Sequence, residues 1–292
     1  MLSLKTLHTL IADVDPSSGD KLYALVDQSG TPNMVRQLER FGHAWTSLLE
    51  NSREQGAIRV APILFELDGQ AANSASVMRW LCSETIYASS LIFLRSPLLR
   101  GELAHRLSHR LDAVLPQEYP IMLRFFDPRV LESLVSVLTE EQSSILLSVA
   151  RCWWYVSRTG EVRNISCCFA DHDVFRDPLK LNQLKKDKLL DASIPDQVGA
   201  LLLENAPLDF QSLKPSERHV FLADATLDAR NYDICEIYDL ALYCILKLRN
   251  GKNFDTGPPW VELLKKVKMG EMSLTDAAQR YEENYQNSCE RV

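Results

Sequence analysis

Along the first half of the chain, short apolar runs alternate with stripes of apolar residues at helical spacing. Residues 22–26, 60–67 and 90–95 are nearly continuous apolar runs closed by Asp, Gly or Pro, the pattern of strands covered on both faces. Between them, residues 32–41 and 76–82 read as helices, and residues 45–49 as a short extended piece. Pro97 opens a further helix whose Leu99, Leu103, Leu107 and Leu111 form a stripe. Met1 to Ala12 places Leu2, Leu4, Leu7, Leu10 and Ile11 among polar residues, as in a short amphipathic helix, and residues 13–20 form a polar linker. Strands alternating with helices predict an α/β lobe with a mostly parallel sheet and flanking helices.

The densest signal lies in residues 119–142. Residues 121–126 read as a largely buried strand interrupted only by Arg124. Asp127-Pro128 then combines an N-cap carboxylate with a proline at the first helical position, so a helix starts at Pro128. Val130, Leu131, Leu134, Val135 and Leu138 give it one apolar stripe, and Arg129, Glu132, Ser133 and Ser136 fall elsewhere on its surface.

After Ser148 the pattern changes. Residues 152–156 and 162–169 predict a hairpin turning through Arg158-Thr159-Gly160, placed to close one edge of the sheet. From Asp177 every periodic segment reads as helix: 179–190, 195–204, 215–229, 234–248, 260–269 and 274–285, punctuated by Pro195, Pro207, Pro215, Gly251 and Pro258-Pro259. The helix at 234–248 carries Ile234, Ile237, Tyr238, Ala241, Leu242, Ile245 and Leu248, a face suited to the centre of a bundle. The expected organisation is an α/β domain over residues 1–169 and an all-helical lobe over 170–292.

Four segments also carry a resemblance. Leu22-Tyr23-Ala24-Leu25-Val26-Asp27, Ala61-Pro62-Ile63-Leu64-Phe65-Glu66-Leu67, Leu91-Ile92-Phe93-Leu94-Arg95-Ser96 and Arg124-Phe125-Phe126-Asp127-Pro128-Arg129-Val130-Leu131 occur in the order of the type VI secretion effector-adaptor family, the Tap or Tec chaperones. The resemblance spans residues 22–142. Gln28-Ser29 and Tyr87-Ala88 stand where that family usually has small residues and a Trp-Gly pair. It implies an adaptor that binds a cognate toxic effector in the cytoplasm and promotes its loading onto the VgrG spike, without catalysis and without a cofactor.

A formal charge of −7 argues against nucleic acid or an anionic membrane as partner, since both select basic surfaces. Seven cysteines without a C-x-x-C pair indicate neither a disulfide framework nor a zinc ribbon, and a reducing cytoplasm fits them. No apolar run approaches the roughly 20 residues of a membrane-spanning helix.

Three predicted strands end in Asp27, Asp68 and Asp127. If the sheet is parallel, these carboxylates converge at one end and could hold a divalent metal, which gives the alternative reading of a metal-dependent hydrolase or nucleotide-binding enzyme. Capping of the following turns and helices explains the same residues without a metal, and metal ligands are not the expectation. Arg95 and Arg124 lie in apolar strands and need a counter-charge, from a strand-end aspartate or from a carboxylate of a partner protein. Trp153, Trp154 and Tyr155 cannot share one face of a strand, so an outlying ring such as Trp154 either packs on a neighbouring element or anchors a partner. His105 and His109, with Glu102, have spacing that can hold zinc, but they oppose the leucine stripe and read as an exposed polar face. The expected partner-binding set is Asp27, Asp68, Arg95, Arg124, Asp127, Arg129 and Trp154.

Overall fold

The computed structural model describes residues 1–14, 16–50, 56–69 and 73–289, so Asp15 of the linker lies outside it. The chain divides into two compact units, residues 1–191 and 192–292. Phe175, Leu179 and Leu181 belong to the first core, so the division falls beyond residue 169.

The first unit opens with α1 (Leu4–Ala12), capped by Ser3, whose side chain accepts the Thr6 N–H. There follow β1 (Lys21–Asp27), α2 (Met34–Arg40), β2 (Trp45–Ser47), β3 (Pro62–Glu66), α3 (Ser74–Thr85), β4 (Leu91–Ser96) and α4 (Arg100–His109). Next come β5 (Asp112–Leu115), β6 (Tyr119–Met122), α5 (Pro128–Val137), α6 (Glu140–Leu147), β7 (Cys152–Val156), β8 (Val162–Ile165) and β9 (Leu179–Lys180). Six strands form one sheet in the order β2-β3-β1-β4-β7-β8, and every neighbouring pair is antiparallel.

This overturns the mostly parallel sheet. β3 and β4 do run in the same direction and are joined through α3, as the alternating pattern suggests. β1, however, is inserted between them and runs the other way, pairing Tyr23 with Glu66 on one side and with Leu94 on the other. Both faces are nevertheless covered: β1 and β4 are buried throughout most of their length and carry the unbroken apolar runs usual in parallel strands. The β7–β8 hairpin forms an edge, turning at Gly160 with φ +79°, a left-handed conformation that favours glycine.

A second, three-stranded sheet has the order β6-β5-β9, in which β9 joins β5 in parallel. Here too the structure corrects the sequence. The strand expected over residues 121–126 ends at Met122, and residues 179–180 pair as a strand rather than begin a helix. Leu123, Phe125 and Phe126 are buried by side-chain packing, while the local backbone bonds Phe125 N–H to Leu123 O and Asp127 N–H to Arg124 O form a turn instead of a ladder. Leu99, placed in the stripe of α4, lies exposed at its N-cap, whereas Leu103 and Leu107 are buried.

α7 (Gln183–Asn205) contains Pro195, where two separate helices were expected. The second unit continues with α8 (Pro207–Gln211), α9 (Pro215–Arg230), α10 (Ile237–Asn250), α11 (Trp260–Lys268) and α12 (Leu274–Cys289). Its core gathers Val198, Leu202, Leu222, Leu240, Tyr243, Trp260 and Leu264. On α10 the buried side is Leu240, Ala241, Tyr243, Cys244, Leu246 and Lys247, and Tyr238 is exposed instead of central. Among the described residues, no helix is long and apolar enough to cross a membrane.

Candidate functional site

The antiparallel register decides which of the expected residues meet. Asp27 is the last residue of β1 and is opposite Pro62, whereas Asp68 follows β3 at the other end, where Leu67 N–H bonds Leu22 O. Five residues of strand, about 17 Å, separate the two ends. The three strand-end aspartates therefore do not converge. Among the described residues no group of three or more His, Cys, Asp and Glu side chains is placed to hold a metal.

Asp27 and Asp127 do share one end, brought there by the turn that follows β6. Asp27 is buried; its Oδ1 accepts from the N–H and hydroxyl of Ser29 at 2.9 and 2.7 Å, and its Oδ2 accepts from Arg124 Nη2 at 2.8 Å. Arg124 Nη2 also donates to Ser29 Oγ, and the guanidinium lies 5.5 Å from the Phe126 ring centroid. Of the two roles open to Arg124, pairing with a strand-end aspartate is the one visible here. The Ser29 turn is drawn tightly against the segment that leads into β4: a Cβ on Gly30 would come within 2.9 Å of Ala88 O and of Ser90 Cβ. Asp127 caps α5, its Oδ1 accepting the Arg129 N–H at 2.9 Å. The Arg129 side chain folds back so that Nη2 donates to Asp127 Oδ2 at 2.7 Å and Nε to Oδ1 at 3.0 Å, a two-pronged pair.

One turn along α5, Glu132 completes this end, a residue that sequence reasoning left on the general surface. Its carboxylate accepts from Tyr155 OH at 2.9 Å, Arg158 Nη1 at 2.6 Å and Arg163 Nη1 at 3.3 Å, tying the helix to both strands of the β7–β8 hairpin. Burial, then the neighbouring Glu132 charge, pushes the Tyr155 phenol up to about 12. The signal was present as two arginines flanking the hairpin glycine, but only the folded register directs both to one carboxylate.

Arg95 lies at the opposite end. Its Nη1 donates to Asp13 O and its Nη2 to Cys152 Sγ, and the buried Asp20 carboxylate sits 3.7 Å from its Nε and accepts from Arg151 Nε at 3.0 Å. Trp154 belongs to neither end. It lies mid-β7, in register with Phe93 of β4 and Asn164 of β8, and is half-buried against the first core. Trp153 and Tyr155 take the other face, with Trp153 Nε1 donating to Leu147 O at 2.9 Å. Glu102 pairs with Arg106 at 2.7 Å, so the His105–His109 side of α4 gains no third ligand from it.

Sequence reasoning also passed over Arg110. Fully buried, it donates to the backbone oxygens of Leu146, Arg106 and Ile145, to Ser148 Oγ, and to both carboxylate oxygens of Asp173 at 2.7 and 3.1 Å. Burial lowers the affinity of Arg110 for its proton, and the Asp173 hydrogen bond and charge oppose that. For Asp173, burial raises the carboxyl pKa, but the Arg110 hydrogen bond, the Phe175 N–H and the Arg110 charge outweigh it, and the net shift is downward.

Residues 22–144 match the family model described as a domain of unknown function, DUF4123, over somewhat under half of the chain. No curated protein and no solved structure matches the chain.

Proposed function

We propose that this chain is a cytoplasmic adaptor of type VI secretion, which binds a cognate toxic effector and promotes its loading onto the VgrG spike without catalysis. The observation that carries this reading is the match of residues 22–144 to DUF4123, a family associated with type VI secretion adaptors. The matched stretch contains β1, β3, β4 and the Arg124–Arg129 turn, the parts that assemble the Asp27 end of the sheet. At that end the carboxylates are held by arginines and backbone N–H groups, an arrangement suited to a rigid recognition surface. The net charge of −7 favours protein over nucleic acid or anionic membrane as the partner.

The test is co-purification of the tagged protein from its native host, with bound partners identified by mass spectrometry. Recovery of a spike protein together with one large toxin is the expected outcome. Recovery of neither from folded protein overturns the adaptor reading.

A further inference from the structure

The buried residues of α10 leave one side of that helix open. Tyr238, Leu242, Ile245 and Arg249 follow at i, i+4, i+7 and i+11, which sets them in a single line along the helix. Tyr238 is 74% exposed, and Leu242 and Ile245 are only partly covered by the second core. At the far end of the line Arg249 donates from Nε and Nη2 to Asp209 Oδ2, which brings up α8, where Leu208, next to Asp209, is 84% exposed. Lys247 lies on the reverse side of α10 and pairs with Asp228 of α9. Single exposed apolar residues are ordinary on a protein surface, whereas a line of them rimmed by charges marks an interaction site.

The charges divide between the two ends. Asp233, Glu236 and Asp239 stand at the N-terminal end, and their side chains make no hydrogen bond or ion pair among the described residues. The cations of that corner are Arg230, in the last turn of α9, and Lys268, whose Nζ donates to Asn231 O at 2.9 Å. Three carboxylates thus face two cations, one of them turned to a backbone oxygen. At the C-terminal end Arg249 and Asp209 offset one another, and Lys252 is exposed. An incoming segment meets apolar side chains along the line and excess acid at the end near Tyr238. The line is one helix wide, well short of the roughly 800 Å² per partner that a stable dimer of whole proteins needs. A single helix fits it.

We infer that this line docks an amphipathic helix of a partner protein, which seats apolar side chains between Tyr238 and Leu208 and presents lysine or arginine to Asp233, Glu236 and Asp239. This deepens the adaptor reading and rests on it for the helix being part of the effector. Tyr238 is the anchor, since its ring offers apolar area and a face that takes a cation.

The probe is a fluorescein-labelled synthetic peptide of Leu, Ala, Gln and Lys, with leucines at helical spacing and lysines at one end, titrated with the purified full chain by fluorescence anisotropy. A peptide of the same composition with its leucines spread around the helix should bind about tenfold more weakly. Tyr238→Ser and Leu208→Ser should each lose about tenfold in affinity, as for interface residues that carry binding energy. Asp233→Asn/Glu236→Gln should lose about threefold and flatten the salt dependence. Leu227→Ser, which removes an exposed apolar residue of α9, should bind as the unmodified protein does. Absence of binding at low salt, equal affinity for the rearranged peptide, or an equal loss in Leu227→Ser would each overturn the inference. So would a dimer in analytical ultracentrifugation that Tyr238→Ser dissolves, which gives the line to a second copy of the chain. If the native co-purification returns spike and toxin while the peptide fails, the adaptor reading stands and this surface falls. If the peptide binds as expected and the co-purification fails, the surface stands as a helix-docking site and the adaptor reading falls.

Discussion

Two arginine–aspartate pairs in the first unit invert one another. In Arg110–Asp173 the arginine is completely buried and the aspartate 22% exposed, whereas in Arg124–Asp27 the aspartate is buried and the arginine nearly half exposed. The contact distances are almost the same, 2.7 and 2.8 Å. What differs is the group removed from water. A buried guanidinium must find acceptors for its donors, and Arg110 finds them on the backbone of two elements, on Ser148 and on Asp173. A buried carboxylate needs only a few donors, which Ser29 and one edge of Arg124 supply. The first pair is closed on itself and serves the fold; the second leaves a cation facing solvent.

The comparison is broken most severely at Arg110. Replacement by alanine leaves Asp173 with only the Phe175 N–H and takes the guanidinium from the Leu146 and Arg106 oxygens, and should lower the unfolding free energy by about 3–5 kcal/mol in urea titrations followed by tryptophan fluorescence. A loss below about 1 kcal/mol would show that the buried network contributes little. The same pair sets an acid limb. Because Asp173 titrates below its unfolded value near 3.9, the stability it contributes is present above that value and is lost as pH falls through the lowered folded one. Asp173→Asn should therefore flatten the acid dependence of the unfolding midpoint.

Arg124→Ala should cost less, about 1–2 kcal/mol, because Asp27 keeps both Ser29 donors and the arginine is screened by solvent. A double-mutant cycle with Asp27→Asn separates the pair from the turn, and a coupling near zero would reassign the cost to the Ser29 turn. Asp127→Ala removes the cap of α5 and the Asp127–Arg129 pair, for about 1 kcal/mol. Chemical denaturation read by helix circular dichroism would register it, and an unchanged midpoint would count against the cap.

The sequence carried these features unequally. Asp127-Pro128 was legible because an N-cap carboxylate and a proline at the first turn act locally. T-E-E-Q at residues 139–142 was equally local, a complete capping box that starts α6, and was overlooked. Strand direction was not legible, since the apolar runs of β3 and β4 read the same whether or not β1 lies between them. Pro195 marks a transition without ending a helix. Its ring opposes the carbonyl four residues earlier, at Asp191, where the first unit ends. Arg110 looked like one more charge after α4, because its acceptors come from α6 and the segment around Asp173, far along the chain. Arg95 was read correctly as needing a counter-charge, but the partner is Asp20, before β1, and not a strand-end aspartate.

The finest separation between the closed and the open arrangement comes from Arg163. It is half exposed and rests on two long contacts, while Glu132 retains Tyr155 and Arg158 as donors. Arg163→Gln should therefore change the unfolding free energy by less than about 0.5 kcal/mol, the range of an exposed ion pair. If urea titration instead shows a loss comparable to that of Arg124→Ala, Arg163 is part of the frame that holds α5 on the β7–β8 hairpin, and shares the structural role of Arg110. A neutral result leaves its guanidinium dispensable for folding, and Tyr155 and Arg158 then suffice to hold Glu132 on the hairpin.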